Sequence, residues 1–186
     1  MEFISTSIEL FKYYKGLGDK TFDQINEVKM NTIPANESNS IAIIICHLHG
    51  NMLSRWTDFL VTDGEKPSRN RDLEFVNPNL KRQELINIWN EGWGCLFNAL
   101  NSLEDEDLLK IVYIRNDGHT VQQAILRQIA HYSYHVGQIV QLAKILKGSD
   151  WVSLSIPKNK STEYNNEKFA EERSKGFFTK KNKTQL

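Results

Sequence analysis

Arg127-Gln128-Ile129-Ala130-His131-Tyr132-Ser133-Tyr134-His135-Val136-Gly137-Gln138-Ile139 lies inside an uninterrupted helical pattern that runs from Thr120 to about Lys147. Val121, Ile125, Gln128, Tyr132, Val136, Ile139, Ala143 and Leu146 recur at three- and four-residue steps and form one inward stripe. His135 falls inside that stripe and His131 at its edge, on the same side. Their spacing of four puts both imidazoles on one face, one turn apart. Five histidines in 186 residues would give roughly 0.1 such pairs by chance. Two core histidines bonded to carbonyls or hydroxyls are the alternative. One divalent metal ion would satisfy both desolvated rings at once. Thr120 with Gln123 three residues on predicts a capping box at the start of this helix, and Gly148 a natural residue past its end.

Three earlier segments share the helical period. The first covers about Ser5–Lys29, with Phe11, Tyr14, Leu17, Phe22 and Ile25 inward and a kink expected at Gly16 and Gly18. The second covers about Ser40–Val61, with Asn36, Ser38 and Ser40 as candidate N-caps and an apolar stripe of Ile41, Ile44, Ile45, Leu48, Met52, Trp56 and Phe59. A polar connection from Thr62 to Asn79 follows, of a length that is usually functional or mobile. The third covers about Lys81–Asn101, with Leu85, Ile88, Trp89, Leu96 and Leu100 inward and Trp89 and Trp93 as an i, i+4 aromatic pair. Between the third and fourth helices, residues 109–121 predict a short extended piece with a turn at Asn116-Asp117-Gly118. The expected fold is therefore all-α: a four-helix bundle over residues 1–156, with a long crossover between helices two and three and a short extended segment before helix four. Trp151–Ile156 reads as extended and partly buried. Residues 157–186 carry eight Lys/Arg against four Asp/Glu and read as a polar tail, disordered or partner-stabilised.

Composition narrows the function classes. Basic and acidic residues balance at 23 each, which gives no general electrostatic case for nucleic acid or an anionic membrane. The longest apolar run, Ile41–Cys46, is too short to span a bilayer. Cys46 and Cys95 are too few for a disulfide framework and read as buried free thiols of a reducing cytoplasm. Met1-Glu2-Phe3 lacks a basic flank and a long apolar run, so no signal peptide is expected.

Helix two offers two candidates for a third metal ligand. His47 and His49 are two residues apart and about 200° apart on an α-helix, so they cannot serve one site. His49 lies nearer the apolar stripe, and His47 beside Asn51 and Asp58; the wheel leaves either open. His119 precedes the N-cap of helix four and reads as a loop or rim residue.

Here the residues carry a resemblance. Cys46-His47-Leu48-His49-Gly50-Asn51-Met52-Leu53-Ser54-Arg55-Trp56-Thr57-Asp58-Phe59-Leu60, followed by Asp63-Gly64-Glu65-Lys66-Pro67, resembles the second helix and following loop of a branch of the DinB superfamily. Residues 127–139 resemble that branch's fourth helix, and Trp89, Glu91, Gly92 and Trp93 lie in helix three. The likeness covers roughly residues 1–160, with two distant segments matching in order. It implies a DinB/YfiT-like bundle, often dimeric, with a three-histidine metal site. Carried over, the ligands are His47, His131 and His135, and His49 has no ligand role.

Three neutral imidazoles on a divalent ion leave at least one open position, the catalytic pattern of such sites. Zn or Ni is expected, with Fe, Mn or Cu also compatible. The superfamily is similar to thiol S-transferases that use bacillithiol, mycothiol or glutathione. The expected reaction is therefore metal-assisted transfer of a small-molecule thiol to an electrophile, by a cytoplasmic homodimer. A hydrolase using water at the same ligands, and a non-catalytic binding protein, are the alternatives. Asp58, Glu91 and Tyr132 are candidate bases. Lys66, Arg69 and Arg71 form a basic loop that could receive a carboxylated thiol.

Overall fold

Helix α1 (Glu2–Phe22) runs unbroken through the two glycines at which the sequence predicts a kink. Gly18 serves close packing instead. A Cβ there would stand 2.5 Å from the ring of Trp89, whose indole N–H donates to Asp19 at 2.8 Å. The break comes later, where Asn26 caps a short helix α2 (Glu27–Asn31) by accepting from the Lys29 N–H. The structure is a computed structural model and describes residues 2–179.

Of the candidate caps, Ser40 is the one that caps helix α3 (Ile41–Trp56), its hydroxyl accepting from the Ile43 N–H. The helix stops five residues short of the predicted Val61. Asp58 turns the chain with φ +47°, and the loop beyond folds back onto the helix. There the Ser54 hydroxyl donates to the Gly64 carbonyl at 2.8 Å and accepts from the Lys66 N–H at 3.0 Å. The long connection that follows holds one 3-10 turn, Asp72–Phe75, and enters helix α4 (Arg82–Asn101), where the Lys81 N–H donates to Glu84 at 2.8 Å.

The extended piece before the last long helix is a hairpin. Strand β1 (Ile111–Ile114) pairs antiparallel with β2 (Asp117–Thr120), Ile111 opposite Thr120 and Tyr113 opposite Gly118. The turn is therefore Arg115-Asn116, not Asn116-Asp117-Gly118. Both turn residues have positive φ, +57° and +64°, as a two-residue type I′ connection requires. Asp63 places it: its carboxylate accepts from the Arg115 and Asn116 N–H groups at 2.9 and 2.8 Å. A turn signal in local sequence has been overridden by an acceptor fifty residues away.

Helix α5 (Val121–Lys147) begins with the predicted Thr120–Gln123 capping box and ends at Gly148, φ +68°. Val121, Ile125, Gln128, Tyr132, Val136, Ile139 and Ala143 of its stripe are buried, whereas Leu146 is only half-buried. The most extensive helix pairings are α3 on α4 and α1 on α5, and all four long helices share one core with Phe11, Trp89, Trp93 and Tyr132 fully enclosed. The fold is thus all-α but for the hairpin. Residues 151–153 form no strand; Val152 exchanges two hydrogen bonds with the Gln24 side chain while its own side chain is exposed. The charged tail is not wholly irregular. It contains helix α6 (Ser161–Ala170), none of whose residues is buried, and Phe178 beyond it meets Tyr13 of α1 edge-on at 5.2 Å. Residues 180–186 of that tail lie outside the described residues.

Candidate metal centre

α3 and α5 bring His47, His131 and His135 together, each offering one ring nitrogen within 4.8 Å of the others. Nε2 of His131 lies 3.1 Å from Nε2 of His135 and 3.4 Å from Nε2 of His47. Two nitrogens bound tetrahedrally at a zinc–imidazole distance of ~2.0–2.1 Å stand about 3.3 Å apart, so both separations suit one shared ion. His47 is buried, while His131 and His135 are half-buried.

The opposite nitrogens explain the convergence. Nδ1 of His47 is 2.9 Å from Oε2 of Glu74. A carboxylate accepts only, so Nδ1 of His47 is the protonated nitrogen, and in the neutral ring the lone pair is on Nε2. Nδ1 of His135 likewise donates to Oε1 of Gln138 at 2.8 Å. Two lone pairs therefore face His131, whose single ring proton can satisfy at most one of them. A cation satisfies all three, and the donor set fits a divalent ion with a borderline preference for nitrogen. Burial, then the neighbouring His135 and His47, pushes His131 down to about 3. Burial also lowers His135, against the raising effect of Gln138. Both rings are held neutral at pH 7, the form that ligates.

Behind His47 stands a knot of buried charge that the sequence did not reveal. Arg69 grips both oxygens of Glu74, Nε to Oε1 at 2.7 Å and Nη2 to Oε2 at 2.8 Å. Glu65 receives Arg55 at 3.0 Å, Arg69 at 3.3 Å and Arg115 at 3.3 Å. Burial would raise Glu74, but Arg69 and His47 outweigh it and hold the carboxyl below its ordinary range. The Glu74 carboxylate reaches α3 over Gly50, where a Cβ would lie 2.2 Å from Oε1. Phe75 covers the other side of His47 at 4.9 Å.

Of the three cations of the basic loop, Arg71 alone is exposed. Arg69 is buried in the knot, Lys66 donates to the Asp63 carbonyl at 2.6 Å, and Arg71 lies over Phe75 at 4.8 Å. The three candidate bases do not meet the cluster. The hydroxyl of Tyr132 is fully buried, donating to Asn51 and accepting from Trp56, both at 3.0 Å; burial raises its pKa further, although the Trp56 hydrogen bond opposes this. Glu91 is exposed and bound to His49 at 3.0 Å, on the α4 side of α3. Asp58 sits at the end of α3 beside a groove of about 640 Å³ that also takes in Glu91, Cys95 and Asn98 but none of the three histidines. Glu91 thus explains the place of His49. His119 lies on β2, its Nδ1–H donating to the Asp117 carbonyl and its Nε2 accepting from Arg127. Cys46 and Cys95 are free and half-buried, and burial, with the nearby Glu74, raises the Cys46 thiol.

Glu74 and Gln138 were missed for different reasons. Gln138 stands three residues from His135, and that spacing was a usable signal. Glu74 lies 27 residues from its ring, and only Gly50, at i+3 from His47, hinted that something must approach that turn. Among the described residues no helix is long and apolar enough to cross a membrane. The family described as "Protein of unknown function (DUF1572)" matches residues 1–160, and a search of curated proteins finds no match.

Proposed function

We propose, for a chain that belongs to the DUF1572 family, a divalent-metal-dependent enzyme built as a DinB/YfiT-like four-helix bundle, which transfers a small thiol of the bacillithiol type to an electrophile. The convergence of three Nε2 atoms, two of them backed by acceptors at Nδ1, is the observation that carries this reading. Zinc or nickel is the expected ion, held by His47, His131 and His135. When bound, such an ion supplies a Lewis acid that favours thiolate over thiol at neutral pH.

The chain's own residues then do four things. His47 and His135 keep their lone pairs aimed inward because Glu74 and Gln138 hold their Nδ1 protons. His131 stays neutral well below pH 7 because it is desolvated beside two other rings. His131 and His135, only partly buried, are the rings on whose side a substrate would approach. Glu74, the carboxylate in contact with the His47 ring, has its oxygens engaged by Arg69 and His47 and is not free to take a proton. A free thiol starts from a pKa near ~8.5 and water from ~15.7, so coordination would deprotonate the thiol more completely at neutral pH without a general base. The reading includes a homodimer in solution.

The test is conjugation of monochlorobimane by metal-loaded protein with bacillithiol, cysteine or glutathione. A rate that needs both zinc or nickel and a thiol supports the transferase. Ester hydrolysis without thiol would replace it by a hydrolase, and activity in neither assay would leave a binding protein.

A further inference from the structure

The strongest unexplained feature outside the three histidines is the pairing of a glycine, a buried acid and a buried arginine on the far side of His47. We propose that Glu74 is the positioning residue of the metal centre: clamped by Arg69 and admitted by the missing side chain at Gly50, it fixes the Nδ1–H tautomer of His47 and so aims Nε2 at His131 and His135. The inference rests on the metal-binding reading of the cluster and extends it to three residues that touch no ligand atom.

Three independent observations converge. Glu74 is buried, unusual for an acid unless it is paired, and its two oxygens make three hydrogen bonds, two to Arg69 and one to His47. Arg69 presents a planar fork that fixes the carboxylate plane, and Glu65 holds that fork from behind. Gly50 lies mid-helix, where glycine is the poor choice for the helix itself, yet any Cβ there would occupy the position of Glu74 Oε1. Ring orientation by a carboxylate is the general way in which a histidine ligand is held in one tautomer, and removing such a partner typically lowers metal affinity about 10–100-fold.

Gly50→Ala separates this role from general destabilisation. Alanine favours the helix, so α3 should form at least as well, while the added methyl displaces Glu74. Zinc affinity, read by competition with a chromogenic chelator, should fall about 10–100-fold in Gly50→Ala and in Glu74→Ala. It should fall less in Glu74→Gln, whose amide oxygen can still accept from Nδ1–H. In the double variant Gly50→Ala/Glu74→Ala the two losses should not add, because both act through one contact. The second readout needs no metal. Long-range proton–nitrogen correlation spectra of nitrogen-15-histidine-labelled apo-protein at pH 8 should show His47 as the Nδ1–H tautomer, and the Nε2–H form should appear in Glu74→Ala. His47 found as Nε2–H in the native chain overturns the proposal, as does unchanged zinc affinity in both Gly50→Ala and Glu74→Ala. If the native chain binds no zinc yet shows the Nδ1–H tautomer, the positioning stands and the metal reading fails.

Discussion

Two histidines on opposite faces of α3 make almost the same bond and do different things. His47 meets Glu74 at 2.9 Å and His49 meets Glu91 at 3.0 Å. The first pair is enclosed, its side chains 5% and 9% exposed, whereas Glu91 is 62% exposed. Behind Glu74 stands Arg69, and across from His47 Nε2 stand two further rings. The Glu91 pair lies at the protein surface and His49 shares its space with no other imidazole. Distance alone therefore does not make a site. An exposed pair is screened and holds its ring loosely, while an enclosed one fixes which nitrogen carries the proton and where the other points.

The largest test of that contrast is metal stoichiometry. His131→Ala should fall from one bound divalent ion per chain to near none by elemental analysis, and His49→Ala should keep its ion. An ion lost with His49 and kept without His47 would reverse the assignment of the two faces.

Thermal stability sharpens the contrast. Free zinc at a hundred times its dissociation constant should add about 2.7 kcal/mol, which raises Tm by roughly 5–10 °C for a chain of this size. A chelator should remove the gain. His47→Ala should show none of it, and His49→Ala all of it. Calorimetry with and without zinc reads the difference.

A pH effect follows from the neutral rings. His131 is held down to about 3 in the folded protein, against an unfolded value near the ordinary 6.5. Below that value the unfolded chain takes up a proton that the folded one refuses, so the unfolded state binds more protons and stability falls as pH falls from about 6.5 toward 3. Urea titrations of metal-free protein should show this decline, and His131→Ala should flatten it. The smallest effect is at the exposed pair. His49→Ala should change stability by no more than about 0.5 kcal/mol, and a loss of several kcal/mol would show that His49 is held by more than Glu91.

Sequence and structure part company at identifiable residues. The stripe from Val121 to Ala143 was legible because one helix repeats its own period, and so were the caps Ser40 and Thr120–Gln123, whose bonds span three residues. The His131–His135 pair was legible for the same reason. Helix ends were not: α3 stops at Trp56 because Ser54 binds the returning loop at Gly64 and Lys66. The hairpin turn moved to Arg115-Asn116 because Asp63 holds it. Gly16 and Gly18 suggested a bend that Trp89, packed into the space at Gly18, makes unnecessary. The basic loop, read as free cations, turned out to contain Arg69, spent on Glu65 and Glu74.

By itself, then, the sequence determined the helical class, the inward face of each long helix and two of the three clustered histidines, since each depends on contacts three or four residues apart. Residue spacing left His47 and His49 equal. The family resemblance chose His47, and tertiary structure supplied the physical difference, by folding the loop after α3 back so that Glu74 and Arg69 close over one face while Glu91 of α4 meets the other. No local period encodes that choice, because it depends on a loop crossing a helix at a glycine and on buried charges that neutralise one another across more than twenty residues of chain.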